Sequence, residues 1–163
     1  MMLRPMTISD LPFMLAVRNE SREMLKDPRV FTLDQCKEWF LATKPEQYIV
    51  SVDDVGDVGV MRVSRFASTL YSIDIGGDIA SQYRRRGYAY KAYNLLIPTL
   101  FDEDGFIKEL YLEVFTKNMP AFNLYRKLGF TIHMYVPNMA RHGDSYLDGF
   151  VMQLSREAWN EKA

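Results

Sequence analysis

The ten residues SQYRRRGYAY, Ser81 to Tyr90, decide how the rest of the chain is read. The run before them, LYSIDI (Leu70 to Ile75), has the composition of a strand, and the run after them, Ala89 to Phe101, that of a helix. Strand, tight basic turn and helix is an arrangement that holds phosphate. The first N–H groups of a helix have no intrahelical acceptor and sit at the positive end of its dipole. Gly87 lets the backbone approach a ligand where a Cβ would obstruct it, and Ala89 keeps the next turn slim. Arg84, Arg85 and Arg86 add forked donors matched to phosphate oxygens. The competing reading is a solvated Arg cluster. Cations at a helix N-terminus oppose the dipole by a few tenths of a kcal/mol each, however, so three in succession are easier to understand beside an anion.

Whole-chain numbers narrow the field. A chain of 163 residues suits one domain, here 1–163, with a sizeable core. Hydrophobic residues make up 48% and charged residues 25%, the balance of a globular protein. The formal net charge of −1 gives no global attraction to nucleic acid or to an anionic membrane, so neither is expected as a partner. The basic character is local, which favours a small anionic ligand. Cys36 is the only cysteine, which excludes an internal disulfide and argues against a thiolate metal cluster. No apolar run approaches the roughly 20 residues of a membrane span. Arg4, Pro5 and Asp10 interrupt any signal-peptide pattern, so a cytoplasmic location is the default expectation.

Taken in order, the chain reads as a short edge strand (Met2 to Met6) and then a helix from Leu11 to about Glu20, capped by Ser9 or Asp10 with Pro12 in its first turn. A short helical piece follows over Glu23 to Lys26. Thr32 and Gln35 form a capping box for a helix from Leu33 to Leu41, with Cys36, Trp39 and Phe40 as its apolar stripe. Tyr48 to Val52 and Val58 to Phe66 read as paired strands around the turn at Asp53 to Asp57. Gly76 and Gly77, inside the next strand, suggest a bulge or a close backbone approach. A helix from Tyr88 to about Phe101, a loop at Asp102 to Gly105 and a buried strand from Leu110 to Phe115 come next. Pro120 opens a helix that Gly129 closes. Thr131 to Val136 and Tyr146 to Leu154 are the last strands, with a polar loop, Pro137 to Ser145, between them. Strands at both ends with helices between argue for an α+β class, a mixed sheet covered by helices.

A second motif lies downstream: NMPAFNLYRKLGF, Asn118 to Phe130. Ala121 and Tyr125 are four apart and share a helix face, so Tyr125 sits beside a small residue that leaves space for something to lie alongside. Its hydroxyl can donate a proton or a hydrogen bond; the plainer alternative is a core tyrosine satisfied by backbone.

The two motifs together resemble the GNAT N-acetyltransferase superfamily, whose members move an acetyl group from acetyl-coenzyme A to an amine. Its pyrophosphate loop reads Gln/Arg-x-x-Gly-x-Gly/Ala, matched by Arg84, Gly87 and Ala89. Its second signature reads Asn-x-x-Ala-x-x-x-Tyr-x-x-x-Gly-Phe, matched by Asn118, Ala121, Tyr125, Gly129 and Phe130. The resemblance implies a twisted, mostly antiparallel sheet of about seven strands flanked by helices, with a splayed central parallel pair. It implies acetyl-coenzyme A as co-substrate and no metal. Backbone from Arg85 through Tyr88 to Ala89 is then expected to bind pyrophosphate, with Arg84 and Arg86 supplying charge. Ile79 and Ala80 are expected to pair with the pantetheine arm, and Asn118 to fix that arm or a strand end. Tyr125 is expected to protonate the leaving thiolate or hydrogen-bond the sulfur.

Acetyl transfer needs a neutral amine, and so a base or a water chain. Glu113, in the apolar run LYLEVF, is one candidate; the alternative is that it faces solvent, because a carboxylate in an apolar core is costly. Asp74 and Asp78 are the others. His133 and His142 have no metal-ligand spacing. On the acceptor side, AVRNE (Ala16 to Glu20) and FTLDQCKEWF (Phe31 to Phe40) resemble the branch that acetylates amino sugars on nucleotides, with the ribosomal-protein N-terminal acetyltransferases as close relatives. Arg18 is then a candidate for binding an acceptor anion, against a surface salt bridge, and Trp39 a stacking platform, against plain core packing.

The expectation is an N-acetyltransferase that transfers directly to a small-molecule amine or a peptide N-terminus, since Cys36 lies far from both motifs and offers no covalent relay. A homodimer stays open. The rivals are a non-catalytic acyl-coenzyme A sensor on the same fold, a nucleotide-binding protein of another fold, disfavoured because GxGxxG and GxxxxGK[ST] are missing, and nucleic-acid binding through the Arg cluster.

Overall fold

The protein is described by a computed structural model covering residues 1–65, 71–103 and 105–162. Leu70 and Phe66, expected at strand ends, and Asp104 of an expected loop lie outside the described residues.

Among these residues seven strands make one sheet: β1 (Met2–Pro5), β2 (Glu46–Val52), β3 (Gly56–Arg65), β4 (Ser72–Ile79), β5 (Glu109–Phe115), β6 (Thr131–His142) and β7 (Ser145–Ser155), in the spatial order β1-β2-β3-β4-β5-β7-β6. Five helices accompany it: α1 (Leu11–Ser21), α2 (Leu33–Thr43), α3 (Tyr88–Glu103), α4 (Met119–Leu128) and α5 (Arg156–Lys162). Every neighbouring pair is antiparallel except β4 and β5, which are parallel and joined through α3. That crossover divides the sheet into two antiparallel halves, as expected for the α+β class. No helix among the described residues is long and apolar enough to cross a membrane.

The two faces bury different helices. Ile73 and Ile75 of β4 and Leu110, Leu112 and Val114 of β5 join the large core with Leu96, Ile97 and Leu100 of α3 and Leu128 of α4. Ile49 and Val60 turn the other way, into a smaller core with Leu11 and Met14 of α1 and Cys36 of α2. Strand alternation then puts Asp74, Asp78, Tyr111 and Glu113 on the α1/α2 face, between the residues that enter the large core.

The caps account for the helix limits. The Thr32 and Gln35 capping box is present: Gln35 N–H donates to Thr32 Oγ1 at 3.2 Å and Thr32 N–H to Gln35 Oε1 at 2.8 Å. Gly129, at φ 104°, closes α4. The stripe expected on α2 is only partly right. Cys36 is buried and Phe40 packs against the smaller core, but Trp39 is 37% exposed. The expected loop at Pro137 to Ser145 is also mostly strand: β6 bulges over residues 137–139 and pairs again through Ala140–His142, leaving a turn at Gly143 and Asp144. Asp148 maintains that bulge by accepting hydrogen bonds from Asn138 N–H (2.8 Å) and Tyr135 Oη (2.6 Å). Helix α5 was not anticipated.

The paired glycines of β4 make no bulge. Their register is regular, Arg62 opposite Gly76 and Met61 opposite Gly77. Each gives room on one face: a Cβ on Gly76 would stand 2.9 Å from an Arg62 guanidinium nitrogen, and one on Gly77 would collide with the Met61 thioether. What comes close at both glycines is a side chain of β3, in place of the bulge or close backbone approach expected.

Candidate active site

β4 and β5 pair only through Ser72–Asp74 and Glu109–Tyr111. Beyond that point Ile75–Ile79 and Leu112–Phe115 have no pairing with each other, so the parallel strands part and leave a cleft in the middle of the sheet. Backbone groups along both inner edges are thereby left for a ligand.

At the C-terminal end of β4 the chain makes a 3₁₀ turn, Ser81–Tyr83, and then the basic turn. Arg85 (φ 62°) and Gly87 (φ 77°) both adopt left-handed backbone. Gly87 O accepts from Lys91 N–H at 3.1 Å, so α3 starts there. Backbone N–H groups from Arg85 to Tyr90 donate to no described acceptor, and a Cβ built on Gly87 meets nothing within 4 Å. The result is an open, donor-lined concavity of the kind that takes a phosphate.

The three arginines separate in role. Arg84 turns back: its Nε donates to Ile79 O at 2.9 Å and its Nη2 to Ser21 Oγ at 3.0 Å, while Glu20 accepts from Ser81 N–H at 2.8 Å. These bonds tie the end of α1 to the end of β4, so Arg84 positions the turn from behind. Arg85 and Arg86 are exposed, with Arg86 5.8 Å from the Tyr83 ring. Tyr88 and Ala89, on the first turn of α3, are half-buried.

On the opposite wall Asn118 caps α4, its Oδ1 accepting from Ala121 N–H at 3.4 Å. Its oxygen thus fixes a helix end. Tyr125 is 7% exposed and projects from α4 into the centre of the molecule. Its ring meets Tyr93 of α3 edge-on, centroids 5.7 Å apart, and its hydroxyl accepts from the Tyr93 hydroxyl at 3.4 Å. Burial raises the pKa of Tyr125 and holds that of Tyr93 well above the ordinary tyrosine value. Arg62 and Asp78, an ion pair, are the charged groups that act on this phenol pair.

The three carboxylates considered as bases differ in their surroundings. Asp78 is held by Arg62. Glu113 is on the exposed side of β5, 36% exposed, with Lys26 Nζ 2.6 Å from its Oε2. Asp74 is half-buried and accepts no hydrogen bond from a described residue; burial, then the charge of Glu113, pushes its pKa up, with Lys26 opposing. His142 Nε2 contacts Leu25 O at 2.7 Å, and Phe115 packs edge-on against the same ring. The segment after α1 is therefore fastened at the cleft from β6 and, through Lys26, from β5. His133 lies away from it, against Tyr111.

Arg18 is engaged within the chain, and Trp39 is partly exposed on α2. Arg18 donates to Arg29 O (2.6 Å) and Asp27 O (2.8 Å), with its guanidinium 4.6 Å from the Phe31 ring centre. It organises the 25–31 segment from within. Sequence reading missed Tyr93, Arg62 and Lys26. An Arg set opposite a Gly in an alternating strand was the available signal for Arg62; Tyr93 sits in a helical core stripe with nothing local to single it out.

A family profile described as an acetyltransferase (GNAT) domain matches residues 1–131. No curated protein matches the chain. Solved structures resemble it over nearly their whole length. A ribosomal-protein-alanine N-acetyltransferase from Brucella melitensis superposes with TM-score 0.81 at 19% identity, covering 95% of this chain and 99% of that one. Mutant forms of the spermidine/spermine N-acetyltransferase SpeG from Vibrio cholerae give 0.86 at 19%, covering 99% and 96%. YncA of Salmonella typhimurium, a protein solved with acetyl-CoA, gives 0.79 at 17%, covering 94% and 92%. At these identities the likeness establishes the fold, while the profile match spans most of the sequence: the chain belongs to the GNAT acetyltransferase family.

Proposed function

We propose that this protein is an acetyl-coenzyme A-dependent N-acetyltransferase acting on a primary amine. The observation that carries the reading is the cleft between β4 and β5, with a donor-lined turn at the end of β4. The residues present fit the co-substrate. The Gly87 concavity and the N–H groups from Arg85 to Ala89 suit a pyrophosphate, Arg85 and Arg86 add charge, and the β4 edge that β5 leaves unpaired up to Ile79 suits the amides of a pantetheine arm, whereas Ala80 already donates its N–H to Val58 O and accepts from Tyr83 N–H. Bound there, acetyl-coenzyme A supplies a thioester whose acetyl carbon passes to the amine nitrogen, releasing a thiolate.

The chain's own groups manage the protons. Tyr125 holds a proton at Oη for the departing sulfur. Asp74 is the assigned base: of the three carboxylates it alone has no counter-ion contact, and its raised pKa suits it to take a proton from an arriving ammonium. The acceptor enters from the α1/α2 face, where the segment held by Lys26 and His142 forms a rim. Arg18, bonded to two backbone carbonyls, gives no support to an anionic acceptor such as a sugar nucleotide. A polyamine or a peptide N-terminus suits the carboxylate-bearing face better.

A thiol-release assay with acetyl-coenzyme A and a panel of polyamines, peptides and amino-sugar nucleotides tests the reading. Turnover with an amine is expected; coenzyme binding without release of thiol from any acceptor would leave a sensor instead.

A further inference from the structure

Tyr93 has no part in either sequence motif, yet its hydroxyl is placed where only Tyr125 can use it. It is 1% exposed, on the buried stripe of α3, and its hydroxyl has one described partner, the Tyr125 hydroxyl. Burying a phenol against a single weak partner is costly: an imperfectly satisfied buried polar group forfeits about 1–3 kcal/mol, and phenylalanine would fill the same space without it. The direction of the bond adds information. A phenol has one proton. With Tyr93 as the donor, as the angles at the two oxygens favour, the Tyr125 proton has no acceptor among the described residues.

We propose that Tyr93 is a positioning residue for acetyl transfer: by donating to Tyr125 Oη it turns the Tyr125 proton toward the sulfur in the β4/β5 cleft and makes Tyr125 a stronger acid. The proposal rests on the transferase reading above. The 3.4 Å separation is longer than the 2.5–3.0 Å of an ordinary O–H···O bond. As the Tyr125 proton moves to sulfur, its oxygen gains negative charge and the bond from Tyr93 strengthens, so the contact stabilises the late stage of reaction more than the resting enzyme. The charges of the Arg62–Asp78 ion pair act on Tyr125 in opposite directions, Arg62 lowering and Asp78 raising its pKa.

The test is a double-mutant cycle. Tyr93→Phe is expected to lower kcat roughly tenfold, the worth of one hydrogen bond, with KM for acetyl-coenzyme A unchanged and the alkaline limb of the pH–rate profile moved upward. In a Tyr125→Phe background the same change is expected to alter kcat by less than twofold. Equal factors in both backgrounds, or no effect in either, would overturn the proposal. Titration of the Tyr125 ¹³Cζ resonance, assigned by its loss in Tyr125→Phe, needs no substrate. Its midpoint is expected to rise in Tyr93→Phe; an unchanged midpoint overturns the proposal. A wild type that never turns over sinks the transferase reading, and the titration still decides whether Tyr93 acts on Tyr125.

Discussion

Asp74 and Glu113 project from the same face of adjacent parallel strands, and only Glu113 carries a counter-ion, with Lys26 Nζ 2.6 Å from its Oε2. Burial, then the charge of Glu113, raises the Asp74 pKa, while Lys26 acts to lower it. If Asp74 takes the amine proton, activity requires its charged form and falls on the acid side of its pKa. Removing the like charge at Glu113 lowers that pKa, and removing Lys26 raises it. Glu113→Gln should therefore move the acid limb of kcat/KM to lower pH, Lys26→Met should move it to higher pH, and Asp74→Asn should abolish it with a loss of about 10²–10⁴ in rate. A loss of that size in Glu113→Gln, with Asp74→Asn unaffected, would transfer the role to Glu113.

Much of the architecture was legible because local rules and tertiary structure agree. The capping box at Thr32, Pro120 with Gly129, and the basic turn at Gly87 each set an element boundary by short-range chemistry. What escaped was decided at long range. The exposure of Trp39 depends on which side of α2 meets the sheet, and the three-residue spacing of Cys36 and Trp39 does not fix how wide that contact is. The β6/β7 hairpin read as a loop at Pro137 and Asn138 because the strand bulges there and the ladder resumes beyond, bridged by a side chain ten residues away. The splay of β4 from β5 came from the family resemblance, since nothing within either strand announces where pairing stops. Arg84 matched the family pattern, yet sequence could not show its side chain turned back to Ile79 and Ser21.

Gly87 separates binding from folding. Its φ of 77° disfavours any L side chain, and the space a Cβ would enter is open. Gly87→Val should cost about 1–2 kcal/mol of stability through backbone strain, while its branches fill the concavity between the N–H groups. Acetyl-coenzyme A affinity is expected to fall at least a hundredfold by calorimetric titration of the folded variant. Unchanged affinity would remove the pyrophosphate from this turn.

The N-terminal strand is held by charge. Arg4 Nη2 contacts Asp10 Oδ1 and Asp57 Oδ2, both at 2.8 Å. The bond from Arg4, with backbone and hydroxyl donation from Thr7, keeps the Asp10 pKa at about 2, below its ordinary 3.8, against the opposing effect of burial. A depressed folded-state pKa gives stability that is present above the unfolded value and lost as pH falls through the folded one. With Arg4 one-third exposed and screened, the pair contributes about 1 kcal/mol. The urea midpoint of Asp10→Asn should lie below that of wild type at pH 7, and the gap should close between about pH 4 and pH 2. A gap that persists at pH 2 would assign the effect to packing.

Arg18 and Trp39 should part company under substitution. Trp39, 37% exposed, lies outside both cores, so Trp39→Ala is expected to cost less than about 1 kcal/mol, against roughly 3–5 for a buried tryptophan. A raised acceptor KM in that variant would keep it as a contact for substrate; an unchanged KM would leave it as surface. Arg18 is different because its guanidinium binds the Asp27 and Arg29 carbonyls and stacks on Phe31. Arg18→Met preserves the aliphatic stem and removes both hydrogen bonds, at a cost of about 2 kcal/mol. The segment released is the one whose Lys26 reaches Glu113 and whose Leu25 carbonyl meets His142. Proteolysis should therefore speed up within residues 25–31, and acceptor KM should rise at any acceptor charge, while acetyl-coenzyme A affinity holds. If KM rises only for anionic acceptors and the segment stays protected, Arg18 binds the substrate directly and its carbonyl contacts are secondary.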